Sequence, residues 1–375
     1  MITTRGVLTV ARLEFRLRIR AGRWRWLLAI WFVLLALVAT GTRAGFVRGV
    51  TGDSAAALAQ YRGAAMFGVL MLVVLALSLL VSPALAAQSV NGDRARGTLA
   101  TLQVTRLRPA EIAAGKLAAS WGTSLVFLAV TLPLAGWCLT EGGLSALRVA
   151  GVYLMMALLL GVACAVALGL SALLSSTTTS SVLAYLLVFT GTVGTLLAFV
   201  LVTALTPDTR PLSFQSCSGV LHDEQGGFVD RNGNPIGPGQ PPVQTDCRTV
   251  TEQLHVTRPD RTWWLIAPNP FVVLADSAPA APTVARLRPD GTVAQQAASF
   301  DPLGAVSREL RQIRSHPVLH RDQFGNQFYR APANGAALWP VGLAVDLLLG
   351  AGGAVLTGRR LRTPARRLPR GQRVA

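Results

Sequence analysis

Lysine is almost missing from this chain: of 35 basic residues, all but Lys116 are arginine. Charge of either sign is scarce, 14% of 375 residues against 51% hydrophobic, where a soluble domain carries about a quarter. That balance excludes a large soluble protein with a charged surface. The arginine bias reads as a high-GC, bacterial coding sequence and says nothing about mechanism. No Gly-x4-Gly-Lys-Ser/Thr run occurs, so no phosphate cradle of that kind is expected. Gly115-Lys116 is followed by Leu117 and lacks the preceding glycine. Nucleophile elbows and zinc signatures are missing too, and no catalytic set is expected. All four histidines fall between residues 207 and 337. His316 and His320 have a helical metal-ligand spacing, but Pro317 separates them and no acid–cysteine set is near, so no metal is expected.

What the chain has is long apolar runs. Six blocks, Trp24–Gly41, Ala64–Ala87, Leu117–Thr140, Val149–Leu174, Val182–Thr206 and Leu338–Thr357, each reach about 18 residues or more. At 1.5 Å per residue, that length crosses ~30 Å of hydrocarbon. The expected fold class is an all-α membrane protein with six transmembrane helices and a long extracytoplasmic loop between the fifth and sixth. The expected parts are an interfacial segment 1–23, a five-helix core 24–206 with an inner loop 88–116, an outer loop 207–337, a sixth helix 338–357 and a basic tail 358–375. The first block lies too far in and is too long for a cleaved signal, and reads as a retained span.

Orientation follows from arginine. Six arginines precede the first block and Arg25 stands at its second position, and seven, from Arg359 to Arg373, follow the last. Cytoplasmic flanks are enriched in basic residues, so both termini are expected inside. An even number of spans requires the same. The loop 88–116 (Arg94, Arg96, Arg106, Arg108, Lys116) is then inside, and Glu141 and Arg148 are outside. The first external loop, with Arg43, Arg48 and Arg62, is a mild exception. The outer loop of about 130 residues holds twelve arginines and twelve acids. Long loops translocate regardless of charge, so it does not oppose this topology. The formal charge of +17 therefore sits mainly on the inner face, where anionic lipid rather than nucleic acid is the expected partner. The segment Thr4–Arg23 reads as an in-plane helix whose arginine stems snorkel, although Arg12–Arg20 alternates with the period of a strand.

The most informative stretch is the inner loop from Asn91 to Lys116. Gly97 breaks the chain after Asp93-Arg94. Leu99 and Leu102 then share a helical face at i, i+3, and Pro109 suits the first turn of a second helix running through Lys116 into the third span. An apolar knob with a basic rim suits a groove on a partner. The stretch resembles the first cytoplasmic loop of ABC-2 type transporter permeases, the membrane subunits of bacterial ABC exporters. Asp93-Arg94, Gly97-Thr98-Leu99, Leu102 and Gly115-Lys116 stand where that family has an acid–base pair, Gly-Thr-Leu, a leucine and Gly-Lys. The likeness covers about 64–206, including the short polar turn 175–181. It departs where Asp93 replaces the commoner glutamate, Ala100 a frequent acid, and Arg106 a frequent proline.

The resemblance implies an exporter subunit of the cytoplasmic membrane that is not itself an enzyme. It implies pairing with a second permease copy or paralogue, and docking on a separate ABC ATPase subunit that binds ATP and Mg. This chain would bind no cofactor. Asp93, Arg94, Gly97, Thr98, Leu99, Leu102 and Lys116 would form the ATPase-coupling loop. Two rival functions remain from the residues: a proton-coupled secondary transporter using Asp346, or a receptor or enzyme working through the outer loop.

Lesser features complete the reading. Asp346 is the one acid inside a span. It should face protein or water, where burial without a cation favours the neutral acid, hydrogen-bonded to a neighbouring helix; a cation or proton site is the functional alternative. Cys217 and Cys247 are the only cysteines outside the spans and are expected to form a disulfide on the oxidising side; Cys138 and Cys164 read as packing residues. Gly161, Ala165 and Gly169 form a small-residue stripe expected to pack within the chain. Gly191, Thr192, Gly194 and Thr195 in the fifth span read as ordinary packing residues, with a bend or a pathway lining as the functional alternative. In the outer loop, Asp208–Arg261 reads as turns with short strands, Asn269 as the cap of a helix starting at Pro270, and Pro302–Arg314 as an amphipathic helix. Trp263-Trp264 suit a membrane interface.

Overall fold

A computed structural model describes residues 3–20, 23–49, 61–97, 108–220, 229, 235, 244–278, 284–287, 293–296, 301–321, 327–330 and 335–361. Twelve α-helices and three two-stranded antiparallel sheets are defined among them. The helices are α1 (Thr4–Arg20), α2 (Arg23–Gly49), α3 (Arg62–Ala87), α4 (Ser89–Arg96), α5 (Pro109–Ala129), α6 (Leu132–Thr140), α7 (Ala146–Leu173), α8 (Thr177–Phe189), α9 (Thr195–Leu205), α10 (Pro270–Ser277), α11 (Pro302–Arg314) and α12 (Trp339–Arg360). A π-helical turn, Thr190–Gly194, joins α8 to α9. The strands are β1 (Asp208–Val220) with β2 (Gln244–Val256), β3 (Val284–Leu287) with β4 (Val293–Gln296), and β5 (Val318–Arg321) with β6 (Gln327–Arg330).

Six helical stretches are long and apolar enough to cross a membrane: Trp24–Arg48, Arg62–Arg94, Pro109–Thr140, Ala146–Leu173, Thr177–Leu205 and Trp339–Arg360. They match the six apolar blocks and run past them at the charged ends, because a helix continues into polar sequence until a cap or break stops it. Gly97, at φ 70° in the left-handed region, ends α4. Ser145 and Ser176 accept from the amides of Arg148 and Thr179 and start α7 and α8.

The chain divides into two compact units. The first comprises 1–198, 264–311 and 337–375; the second comprises 199–263 and 312–336. In the first unit α3 is the most deeply buried of the long helices, with Met66, Phe67, Leu70, Met71, Val74 and Leu75 fully buried. Its most apolar window is 61% buried, against 11% for the fifth stretch, whose residues Leu186, Leu197, Val200 and Leu201 face outward. Serines and glycines allow the close approaches. Ser82 Oγ lies 2.8 Å from Ser124 Oγ between α3 and α5. A Cβ on Gly169 would stand 2.8 Å from Gly353 Cα, and one on Gly350 3.3 Å from Val162 Cα. The small-residue stripe of α7 therefore packs against α12 within the chain, while a Cβ on Gly161 would stand 3.2 Å from Trp121 Nε1 of α5.

Part of the expected outer loop belongs to this core. Val273, Leu274 and Ala275 of α10 and Leu303 of α11 are buried in the same cluster as Phe67 and Leu160. Asn269 caps α10 as expected, its Oδ1 accepting from Phe271 N at 2.9 Å. Buried Asp276 accepts from Ser307 Oγ, Arg311 Nε and the amides of Leu338 and Trp339, and so fastens the N-terminus of α12 to α10 and α11. Arg148 and Asp301, both buried, pair at 2.5 Å, joining the start of α7 to the start of α11. In the second unit β1 and β2 are thirteen residues each rather than short strands, because the Gly/Pro/Asn-rich segment is confined between them. Trp263 lies under the Arg314 guanidinium, 4.4 Å from the ring centroid.

Candidate functional site

The geometry of the loop 88–116 is set by one buried cation. Lys116, about two turns into α5, is fully buried. An ammonium has three donors, and Lys116 Nζ finds three acceptors: Glu14 Oε1 at 2.5 Å on α1, Ser89 O at 3.2 Å, and Asp93 Oδ2 on α4. An unpaired charge there would cost several kcal/mol, so these three elements are committed to one arrangement. The glycine before the lysine has its own reason: a Cβ on Gly115 would stand 2.5 Å from Val10 Cβ, so only glycine lets α1 lie this close.

The acid–base pair Asp93-Arg94 divides its work. Asp93 turns to Lys116. Arg94 turns the other way, donating to Leu174 O at 3.1 Å, Ala172 O at 3.3 Å and Asn91 Oδ1 at 3.2 Å. It thus takes up carbonyls left free at the end of α7. Ser171 Oγ receives the amides of Val90 and Asn91, and Asn91 Nδ2 donates to Ser176 O in the turn before α8. On the far side of the loop, Glu111 Oε2 accepts from Arg108 N at 3.0 Å, and Oε1 accepts from Thr3 N and Oγ1 at 2.7 Å each. The described residues on either side of 98–107 are thus anchored into the bundle by polar contacts. Of the expected coupling residues, Asp93, Arg94 and Lys116 form these anchors and Gly97 ends α4 beside them; Thr98, Leu99 and Leu102 lie outside the described residues. Sequence reasoning missed Glu14, Glu111 and Ser171. Glu111 carried a signal, since an acid in the third position of a helix opened by Pro109 is placed to cap it.

At the opposite end of the bundle, Glu141 accepts from Arg43 Nε at 2.8 Å and Arg62 Nη1 at 2.9 Å. The Arg43 hydrogen bond, seconded by Arg62, holds its carboxyl below the usual range. Two of the three arginines that ran against the charge rule therefore share one counter-ion.

The second site is a cleft of about 440 Å³ between α7, α8, the π-helical turn and α12. Asp346 lies in its wall, 8% exposed, and its Oδ2 has no hydrogen-bond partner among the described residues. The bond expected from the Asp346 acid to a hydroxyl or carbonyl on a neighbouring helix is not made by this oxygen among the described residues. The threonine–glycine run forms the π-helical turn, and Asn269 Nδ2 donates to Thr192 O at 2.6 Å and to Thr195 Oγ1 at 2.9 Å. A π turn displaces carbonyls from the regular ladder, and Asn269 takes one of them up.

Elsewhere, the hairpin register sets Cys217 directly opposite Cys247. His316 and His320 are not on one helix: His316 Nδ1 lies 3.1 Å from Asp260 Oδ2, while His320 is in β5. Compared with protein-family models, curated proteins and solved structures, the chain matches none.

Proposed function

We propose that this chain is the permease subunit of an ATP-driven exporter of the ABC-2 type in the bacterial cytoplasmic membrane. Both termini and the loop 88–116 face the cytoplasm, and residues 207–337 lie mainly outside. A separate ATPase subunit binds ATP and Mg, and the permease pairs with a second copy or a paralogue. Six long apolar helices and the Gly97-Thr98-Leu99 resemblance support the reading. The observation that carries it is the anchoring of the described residues that flank 98–107. A plain connecting loop needs no buried ion pair, whereas a loop that passes force into a bundle must be rigid at both ends. Lys116 ties its entry helix, the N-terminal helix and the third span together, and Arg94 adds the fourth. A rival, proton-coupled carriage through Asp346, draws on the unpartnered Oδ2. Purification in mild detergent separates the two. The exporter carries along a nucleotide-hydrolysing subunit in stoichiometric amount, and a carrier purifies alone.

A further inference from the structure

The intramembrane cleft has a composition that specifies its occupant. Its walls are almost wholly aliphatic, among them Leu159, Val162, Val166, Leu187 and Leu349. Its threonine hydroxyls are already spent on their own helix: Thr190 donates to Leu186 O, Thr192 to Val188 O and Thr195 to Gly191 O. Asp346 is the one acidic or basic residue in the lining, and its buried Oδ2 has no partner among the described residues. A buried carboxyl left unsatisfied is costly, and a group that brings a positive charge or a donor to it recovers that cost. The volume lies within the ~300–1,000 Å³ of small-molecule sites, where apolar walls supply affinity and a few polar groups fix orientation.

We propose that this cleft binds lipophilic cations, molecules with a bulky apolar body and one positive centre, and that Asp346 is the residue that selects their charge. A lipid acyl chain would use the aliphatic walls and leave the carboxyl unsatisfied, so charge complementarity favours the cation. As a substrate class, the inference rests on the permease reading above. As a binding site it does not, because binding is measured on the purified chain without ATPase or nucleotide.

The probes are tetraphenylphosphonium and tetraphenylborate, ions of nearly the same size and shape and opposite charge. Titrated calorimetrically into the protein in nanodiscs of uncharged lipid, with empty nanodiscs subtracted, the cation binds saturably and at least a hundredfold more tightly than the anion. Asp346→Asn keeps the shape, loses at least tenfold in affinity for the cation and largely loses the preference. A Cβ added at Gly191, in the cleft wall, meets nothing within 4 Å, so Gly191→Phe tests occupancy through a second residue and weakens cation binding without touching Asp346. Equal binding of the two ions by the unaltered chain, or an Asp346→Asn variant that binds the cation undiminished, overturns the proposal. Should the chain purify without an ATPase yet bind the cation selectively, the permease reading fails and this one stands.

Discussion

Replacing Lys116 with methionine removes the cation from a site that keeps both of its carboxylates. The volume changes little, so packing is not the variable. Glu14 and Asp93 are left facing the vacated space with side chains 17% and 11% exposed. Breaking a buried pair by removing one partner costs about 3–5 kcal/mol. Here the carboxylates retain some access to water and relax toward it, which puts the expected loss near the lower end, ~3 kcal/mol. Asp93→Asn alone costs less, since Glu14 and Ser89 O still hold the ammonium. The two changes together lose less than their sum, by about 1–3 kcal/mol, because each removes the same contact. Unfolding in mixed micelles titrated with dodecyl sulfate, followed by tryptophan fluorescence, gives all four corners of the cycle. Additivity to within ~0.5 kcal/mol would show that the triad does not join these elements, and the account of the rigid loop mounting would fail.

Other outcomes follow from the same geometry. Glu141→Gln destabilises the protein at about pH 7. Because the folded carboxyl titrates lower than the ordinary ~4.3, the stability it contributes is present above that value and disappears as pH falls through the depressed one. The margin between wild type and variant should therefore close on acidification, and a margin independent of pH contradicts the pairing. Cys217 and Cys247 should appear as one crosslinked peptide under non-reducing mass spectrometry; free thiols at both positions refute it. Directly opposed residues of an antiparallel pair have Cα atoms about 4.5–5.5 Å apart, inside the range a disulfide spans. Closing about thirty residues would add ~3 kcal/mol to the folded hairpin in the chain-entropy model.

The long helices were legible because hydrophobicity over some twenty residues is a local signal, and Gly97 and Asn269-Pro270 because caps and breaks are local too. In α1 two periods conflicted. The alternation of Arg12–Arg20 lost to the helix, whose Val10 is buried against Gly115. The threonine–glycine run marked where the fifth span departs from a regular helix, though not that the departure is a π turn. The fastenings of the core were not legible. Arg148 and Asp301 are 153 residues apart, and Asp276 meets Leu338 across 62, so no window of sequence contains both partners. That is why 264–311 read as loop although Val273, Leu274, Ala275 and Leu303 complete the core. Asp346 could be placed in a span by counting, but the cleft beside it depends on how α7, α8 and α12 pack.

The central claim is that residues 98–107 hand force from an ATPase to the bundle, and Leu102 is its most exposed consequence. Wild-type and Leu102→Asp chains, purified in parallel in mild detergent, are assayed for vanadate-sensitive ATP hydrolysis per mole of chain. The account predicts hydrolysis with the wild type and at least a tenfold loss with Leu102→Asp at equal yield and equal thermal stability. Hydrolysis that is missing from the wild type, or that survives the substitution undiminished, contradicts it.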